Sequence, residues 1–254
     1  MRGDTENSRT LQEHRRSLLS VSALILGISF IIGMSIFGYF FYISRLPQKT
    51  LTVTGSAKER VVSDVAKWSA NYSVKVSEER LREGFNTMKM YEGAILKVIK
   101  ENGIDSKEIS ISAISANELY VDPERQTTRY YILRQNFMVE TVDVKGIAEK
   151  VKVITQKVLD LGIAFQSFPV EYYYSKLPEK RIQLLSEAVK DARKRAEEIA
   201  KSGGLKVGKV LNAKSGIVQV LSPNSLEVSD YGTYDTSTIE KEVMVTVTVV
   251  FEAR

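Results

Sequence analysis

The sequence predicts an α+β domain carried on a single membrane-spanning helix. Three features point there: a long uncharged apolar run near the N-terminus, a clean two-residue alternation from Ala66 to Val76, and helix-period stretches interleaved with β-branched strands. Of the 254 residues, 43% are hydrophobic and 26% charged, which is ordinary globular usage. Setting aside the first 50 leaves 204, enough to enclose a core.

The apolar run, LLSVSALILGISFIIGMSIFGYFFYI, extends from Leu18 to Ile43 without a charge. About 20 apolar residues rising 1.5 Å each cross a bilayer, so the run predicts one transmembrane helix. Tyr39, Phe40, Phe41 and Tyr42 gather at its C-terminal end, where interface aromatics sit. The following FFYISRLPQKT offers no small-x-small cleavage site, which favours an uncleaved anchor over a secretory signal. Arg15 and Arg16 precede the run and Arg45 and Lys49 follow it, a slight positive-inside bias. The expected organisation is a cytoplasmic tail (1–17), a transmembrane helix (18–43), a linker (44–50, with LPQKT from Leu46 to Thr50) and an exported domain (51–254). Such a chain sits single-pass in the cytoplasmic membrane, its C-terminal domain in the periplasm or outside the cell.

Composition then excludes several chemistries. The net charge is +5, but the first 50 residues hold six cations and three acids, so the remainder has 30 basic against 28 acidic side chains. That balance gives no footprint for nucleic acid. The chain has no cysteine, and its one histidine is His14, in the tail. A thiol nucleophile, a Cys/His zinc site and a Ser-His-Asp triad are therefore absent from the domain. No catalytic, cofactor-binding or metal-binding residue is predicted, and no enzymatic activity.

The elements follow in order. LTVTGSAKERV (Leu51–Val61) alternates as a strand, with Gly55 permitting a bend. From Ala66 to Val76, the residues Ala66, Trp68, Ala70, Tyr72, Val74 and Val76 share one face and Lys67, Ser69, Asn71, Ser73 and Lys75 the other. Glu78–Glu101 reads as a helix with Leu81, Phe85, Met88, Ile95 and Ile99 on one stripe, stopped by Asn102-Gly103. Glu108–Val121 and Thr128–Val142 read as strands joined through Asp122-Pro123-Glu124, Lys145–Leu161 as a helix ended by Gly162, and Ile163–Tyr174 as a strand. Strand–helix–strand–strand–helix–strand is the ferredoxin-like βαββαβ order, with both helices on one face of an antiparallel sheet. An added helix, Leu177–Lys201, stops at Ser202-Gly203-Gly204. Lys206–Asn212 and Gly216–Leu221 read as short strands, Ser222–Thr238 as a polar loop, and Lys241–Phe251 as a β-branched closing strand.

Three stretches also resemble the SIMPL family. LTVTGSAKERVVSDVAKWSANYSV is similar to the family's V-T-G strand followed by Asp-x-Ala, here Val53, Thr54, Gly55, Asp64 and Ala66. LLSEAVKDARKRAEEIAKSGGLKVGKV (Leu184–Val210) resembles its Ala-rich helix ending in Gly, and VSDYGTYDTSTIEKEVMVTVTVVFEA its C-terminus in a membrane-anchored branch. The resemblance covers residues 50–253. It implies a bacterial envelope protein of periplasmic type with no established enzymatic activity. It also implies assembly into ring- or channel-like oligomers and a role linked to envelope stress.

Candidate contact residues are few. Ile182, Leu185, Val189, Ala192, Ala196 and Ile199 fit an a/d heptad, so this helix either lies on its own sheet or serves as an oligomer seam closing on Ala192 and Ala196. Tyr120, Tyr130, Tyr131, Tyr172, Tyr173 and Tyr174 form either an aromatic ligand platform or core and edge packing. Asp64 reads as a turn or backbone cap. The long loop offers Tyr231 and Tyr234 as interface anchors. Two functional expectations result: a membrane-anchored scaffold that self-assembles as a homo-oligomer, or a monomeric envelope module binding a small molecule, glycan or partner protein.

The orientation is testable directly. A reporter active only outside the cytoplasm, fused after Arg254, is expected to be active. A silent reporter in a stably expressed fusion contradicts export.

Overall fold

The computed structural model describes residues 4–44, 49–119, 128–225 and 231–254, with side chains from Leu24 onward. It divides into two units, 1–50 and 51–254.

The first unit is one helix, α1 (Asp4–Ser44). It starts well before the expected Leu18 and its 41 residues reach about 60 Å, twice the hydrocarbon thickness of a bilayer. Its Leu24–Ser44 portion is long and apolar enough to cross a membrane, and none of it is buried within the chain. Of the expected linker, residues 45–48 lie outside the described residues, and Thr50 already opens the next strand.

The second unit contains two antiparallel sheets. The larger holds β2 (Val65–Ser77), β3 (Ile109–Ile111), β4 (Ser115–Leu119), β5 (Tyr130–Thr141), β6 (Phe165–Ser167) and β7 (Glu171–Tyr173). Its spine is the β2–β5 pair, in register from Ala66 opposite Thr141 to Ser77 opposite Tyr130. β3 and β4 flank β5, and β6 and β7 flank β2. The helices α2 (Leu81–Glu101) and α3 (Ile147–Asp160) cover one face. There the predicted stripe of Ala66, Trp68, Ala70, Tyr72 and Val76 packs with Met88, Ile95 and Ile99 of α2 and with Val151, Ile154 and Val158 of α3. The alternation of β5, and of β2 apart from the buried Asn71, has one cause: only one face is closed by helices, and apolar side chains go to it. One polar network is enclosed with them. The Tyr72 hydroxyl lies within hydrogen-bond reach of the Met88 carbonyl (2.8 Å) and of Gln135, whose Nε2 donates to Glu92 (2.8 Å) and to the Ser112 carbonyl (2.9 Å). Burial, reinforced by Glu92, raises the Tyr72 pKa well above its ordinary value.

The smaller sheet runs β1 (Thr50–Val62), β10 (Glu240–Ala253), β8 (Val207–Ser215), with β9 (Gln219–Leu221) pairing the start of β10. The helix α4 (Leu177–Ser202) lies on it.

Three edge segments each carry one inserted residue. Two lie within stretches that read as continuous strands in the sequence, Glu108–Val121 and Ile163–Tyr174. The third is at 216–218, where the sequence predicts that a second short strand begins and β8 instead runs on to Ser215. Ser112, Ala113 and Ile114 stand opposite Gln135 and Asn136; Phe168, Pro169 and Val170 opposite Trp68 and Ser69; Gly216, Ile217 and Val218 opposite Val245 and Thr246. An extra residue bends an edge and spoils its template for further pairing. The expected turn at Asp122-Pro123-Glu124, with Tyr120, lies outside the described residues.

The register of α4 also differs from the heptad reading. Its buried row is Leu184, Ala188, Ala192, Ala196 and Ala200, a strict four-residue spacing. Ile182 and Ile199 are 73% and 52% exposed. A row of i, i+4 residues is inclined to the helix axis, so the 3-4 heptad line diverges from it and its end members Ile182 and Ile199 leave the contact. Ala192 and Ala196, expected as an oligomer seam, are thus enclosed by the chain's own sheet.

Alanines occupy that row because β1 approaches very closely. A Cβ on Gly55 would lie 2.2 Å from the Ala188 carbonyl oxygen and 2.4 Å from the Ala192 nitrogen, both backbone atoms that cannot rotate away. The Ser56 N–H, next in β1, donates to Asp191 of α4 (2.9 Å). Gly55→Ala is therefore expected to cost about 2–3 kcal/mol through overpacking. Gly93→Ala in α2, where an added Cβ meets open space, should stabilise by about 0.5–1 kcal/mol. Thermal unfolding of the two full-length variants checks both, and equal effects would remove the close-approach explanation.

Candidate functional site

With α2 and α3 on one face, the other face of the larger sheet is left open. On it lies a groove of about 500 Å³ lined by Ser69, Ser110, Ser112, Asn136, Met138 and Phe168. The inserted residues place its walls. Opposite Trp68–Ser69 the bulge turns Phe168 outward, where it is 41% exposed, while its N–H donates to the Ser69 carbonyl (3.0 Å). Behind the bulge the Trp68 indole N–H donates to the Ser167 hydroxyl (2.9 Å) and holds the strand. Opposite Gln135–Asn136 the second bulge brings Ser112 in. Its N–H donates to the Asn136 carbonyl (3.0 Å), and its hydroxyl accepts the Asn136 N–H (3.0 Å). A second groove of about 510 Å³ shares Ser69 and Phe168 and is walled by Pro169, Thr236 and Ser237.

That wall comes from the polar loop, and a buried lysine shapes it. Lys241 has no solvent exposure, although it stands at the start of β10 in phase with Val243, Val245 and Val247. Its ammonium donates to the carbonyls of Asp235 and Thr238 (2.7 Å to the latter), lies 3.8 Å from the Asp235 carboxylate, and sits 5.7 Å from the centre of the Tyr234 ring. Burial lowers the Lys241 pKa, and Asp235 works against that shift. Burial acts to raise the Asp235 pKa. The hydroxyls of Ser237 and Thr238, the Ser237 N–H and Lys241 overcome it and bring the carboxyl down to about 2. The clamped segment is tied in turn to the larger sheet, where the Thr236 carbonyl accepts the Tyr172 N–H (2.8 Å) at the sheet's edge.

The residues singled out in the sequence are dispersed. Tyr234 is used internally, its hydroxyl accepting the Tyr174 N–H (2.9 Å) and its ring 5.8 Å from that of Tyr173. Tyr231 is 95% exposed, which leaves it the outward member of the expected pair. The tyrosines form no single platform. Tyr130 and Tyr173 pair with opposite ends of β2, and Tyr172 is in the core. Asp64 caps a backbone, accepting the Ser175 N–H (2.7 Å) and hydroxyl (2.6 Å) just before α4. Partial burial raises its pKa, but the Ser175 bonds and Lys176 lower it further, so the net shift is downward. Among the described residues no three His, Cys, Asp or Glu side chains come together as a metal site would require. The groove is hidden in the sequence because its lining reads as ordinary solvent-face serine and asparagine. Pro169 inside a strand-like run is the available signal, since proline in a sheet marks an edge or a bulge. Lys241, in phase with inward valines, is the signal for the clamp.

Fold and site together define a domain with one covered and one open sheet face, in a chain whose N-terminal helix is able to span a membrane. The chain belongs to the SIMPL family: the family model, described as a protein of unknown function (DUF541), matches residues 51–251. The match takes in Gly55, the alanine row and the closing strand. No curated protein matches the chain.

The clamp has a pH signature. The folded Asp235 pKa lies below the ordinary 3.8, so its contribution is fully present above about pH 4 and is lost as pH falls through about 2. The shift corresponds to about 2 kcal/mol at neutral pH. Asp235→Asn is expected to lower stability at pH 7 by that order and to flatten the acid limb of the stability curve. An unchanged acid limb would show that the carboxylate is not held as described.

Proposed function

We propose that this protein is a membrane-anchored, non-catalytic envelope protein whose 51–254 unit captures a ligand on the open face of its larger sheet. The observation behind this is the groove itself: Phe168 is turned outward by an inserted residue, beside hydroxyl and carboxamide groups, and the wall is fixed by a buried ion pair. Bulges that re-aim side chains next to a concavity are characteristic of working sites. The shifted carboxylates Asp64 and Asp235 are engaged by hydroxyl and amide donors of their own chain, which supports binding rather than acid–base chemistry. We read the larger sheet as ferredoxin-like, on the support of its element order and of its strand order, β3/β4, β5, β2, β6/β7. The domain is read as exported and the protein as bacterial, on the charge bias and the family resemblance.

A second reading, self-assembly as an envelope scaffold, is favoured by a different surface. β8 is an edge strand, exposed from Lys209 to Ser215, with Val210 and Leu211 among its exposed residues, and Tyr231 projects elsewhere into solvent. Copies joined in a ring would multiply weak anchors into firm attachment.

One experiment separates the two. A photoreactive benzoylphenylalanine is placed at 168, at 211 or at the exposed Val153 of α3 in the full chain, in cells. Adducts to another envelope component from 168 that are absent from 153 are expected. Adducts between two copies from 211, with none from 168, would replace capture with assembly. Identical patterns at all three positions would remove both.

A further inference from the structure

The groove's lining selects among ligands, a selection that rests on the groove being a capture site. Its polar groups are the hydroxyls of Ser69, Ser110 and Ser112 and the carboxamide of Asn136, its exposed apolar groups Met138 and Phe168, and no charged side chain lines it. Among the described residues, the Ser69 and Ser110 hydroxyls and the Asn136 carboxamide have no hydrogen-bond partner, so all three are open to a ligand. On the same face, Lys67 and Glu140 pair with each other at 3.0 Å and cancel locally. A polyanion would meet no cation in the groove and would lose hydration on entering it.

The opposite kind of ligand fits. A phenyl face is the negative part of its quadrupole and attracts a flat array of polarised C–H groups. Free hydroxyl and carboxamide groups around it match a ligand with many hydroxyls and no charge. A pyranose has both properties, one face of C–H bonds and a rim of hydroxyls. Phe168 is also flanked on both sides, since the second groove shares it and Ser69 and adds the polar Thr236 and Ser237. The carboxylate bordering that second groove, Glu171, accepts the Tyr173 hydroxyl (2.8 Å). Two grooves meeting at one ring suit linked sugars better than a single one. We infer that the open sheet face binds a neutral glycan chain, one sugar stacked on Phe168 and neighbouring hydroxyls bonded to Asn136 and Ser69.

The chain carries its own probe. Trp68 is its single tryptophan, and the indole N–H bonds to Ser167, the residue before Phe168. The full chain in lipid nanodiscs, free of sugar-based detergent, is titrated by Trp68 fluorescence with the tetramer of N-acetylglucosamine, cellotetraose and tetragalacturonate. A saturable change with a neutral tetramer, at a Kd of about 0.1–1 mM, is expected, and none with the charged one. Phe168→Ala should weaken binding about tenfold and Asn136→Ala by several-fold. Both side chains are exposed, so an unshifted Trp68 emission maximum shows that each variant is folded. Equal response to tetragalacturonate overturns the proposal. A Gly-Ser-Asn peptide that gives a Phe168-dependent response while both neutral sugars give none overturns the glycan and leaves the capture site standing. Silence with every probe overturns both.

Discussion

An ammonium group shut away from water has to find all its acceptors inside the protein, and Lys241 finds them in the segment just before its own strand. The carbonyls of Asp235 and Thr238, the Asp235 carboxylate and the Tyr234 ring close around it. Removing any of them would leave a buried charge under-compensated, which is far more costly than losing a surface contact. One lysine therefore orders a polar stretch that has little apolar surface of its own to bury. That order is transmitted: Thr236 reaches Tyr172 of the larger sheet, Tyr234 pairs with Val220 of the smaller one, and Ile239 accepts the Ser63 N–H between β1 and β2. The clamp thus ties both sheets of the 51–254 unit to one short segment and sets one wall of the candidate site.

The smaller sheet depends on a different kind of constraint, the exclusion of volume. Gly55 and the alanines of α4 bring two backbones together more closely than any other side chains would allow. The gain is dispersion contact along a whole helix face at native density. The tolerance for added atoms is correspondingly small. The three stretches that carry the family resemblance meet here, since β1, α4 and β10 are the three parties to this packing. Gly55, the alanine row of α4 and the inward Val247, Val249 and Phe251 of β10 follow from that contact.

The larger sheet shows how one insertion can serve two ends. A bulge in an edge strand blunts the edge against unwanted pairing and re-aims the residues at the bulge. At Phe168 and at Ser112 the re-aimed groups border the same groove on the uncovered face. A sheet covered by helices on one face only has a solvated face by construction, and the groove lies on that face.

Much of this architecture is local and therefore legible in the chain itself. The apolar run, the alternation of β2, the helix stops at Gly103 and Gly162 with positive φ, and the β-branched closing strand arise from periodicity and backbone sterics within a few residues. What the sequence does not fix is decided by partners distant along it. Which row of α4 is buried is settled by the sheet it lies on, and that row passes through Leu184 and the alanines rather than Ile182 and Ile199. The bulges exist only relative to the strands opposite them, so Ile163–Tyr174 read as one strand. Ser69, Asn136 and Phe168 look unrelated until pairing places them on one face. Composition and period determine which elements form; register, crossing angle and enclosure, which depend on contacts between remote segments, determine where those elements leave a site.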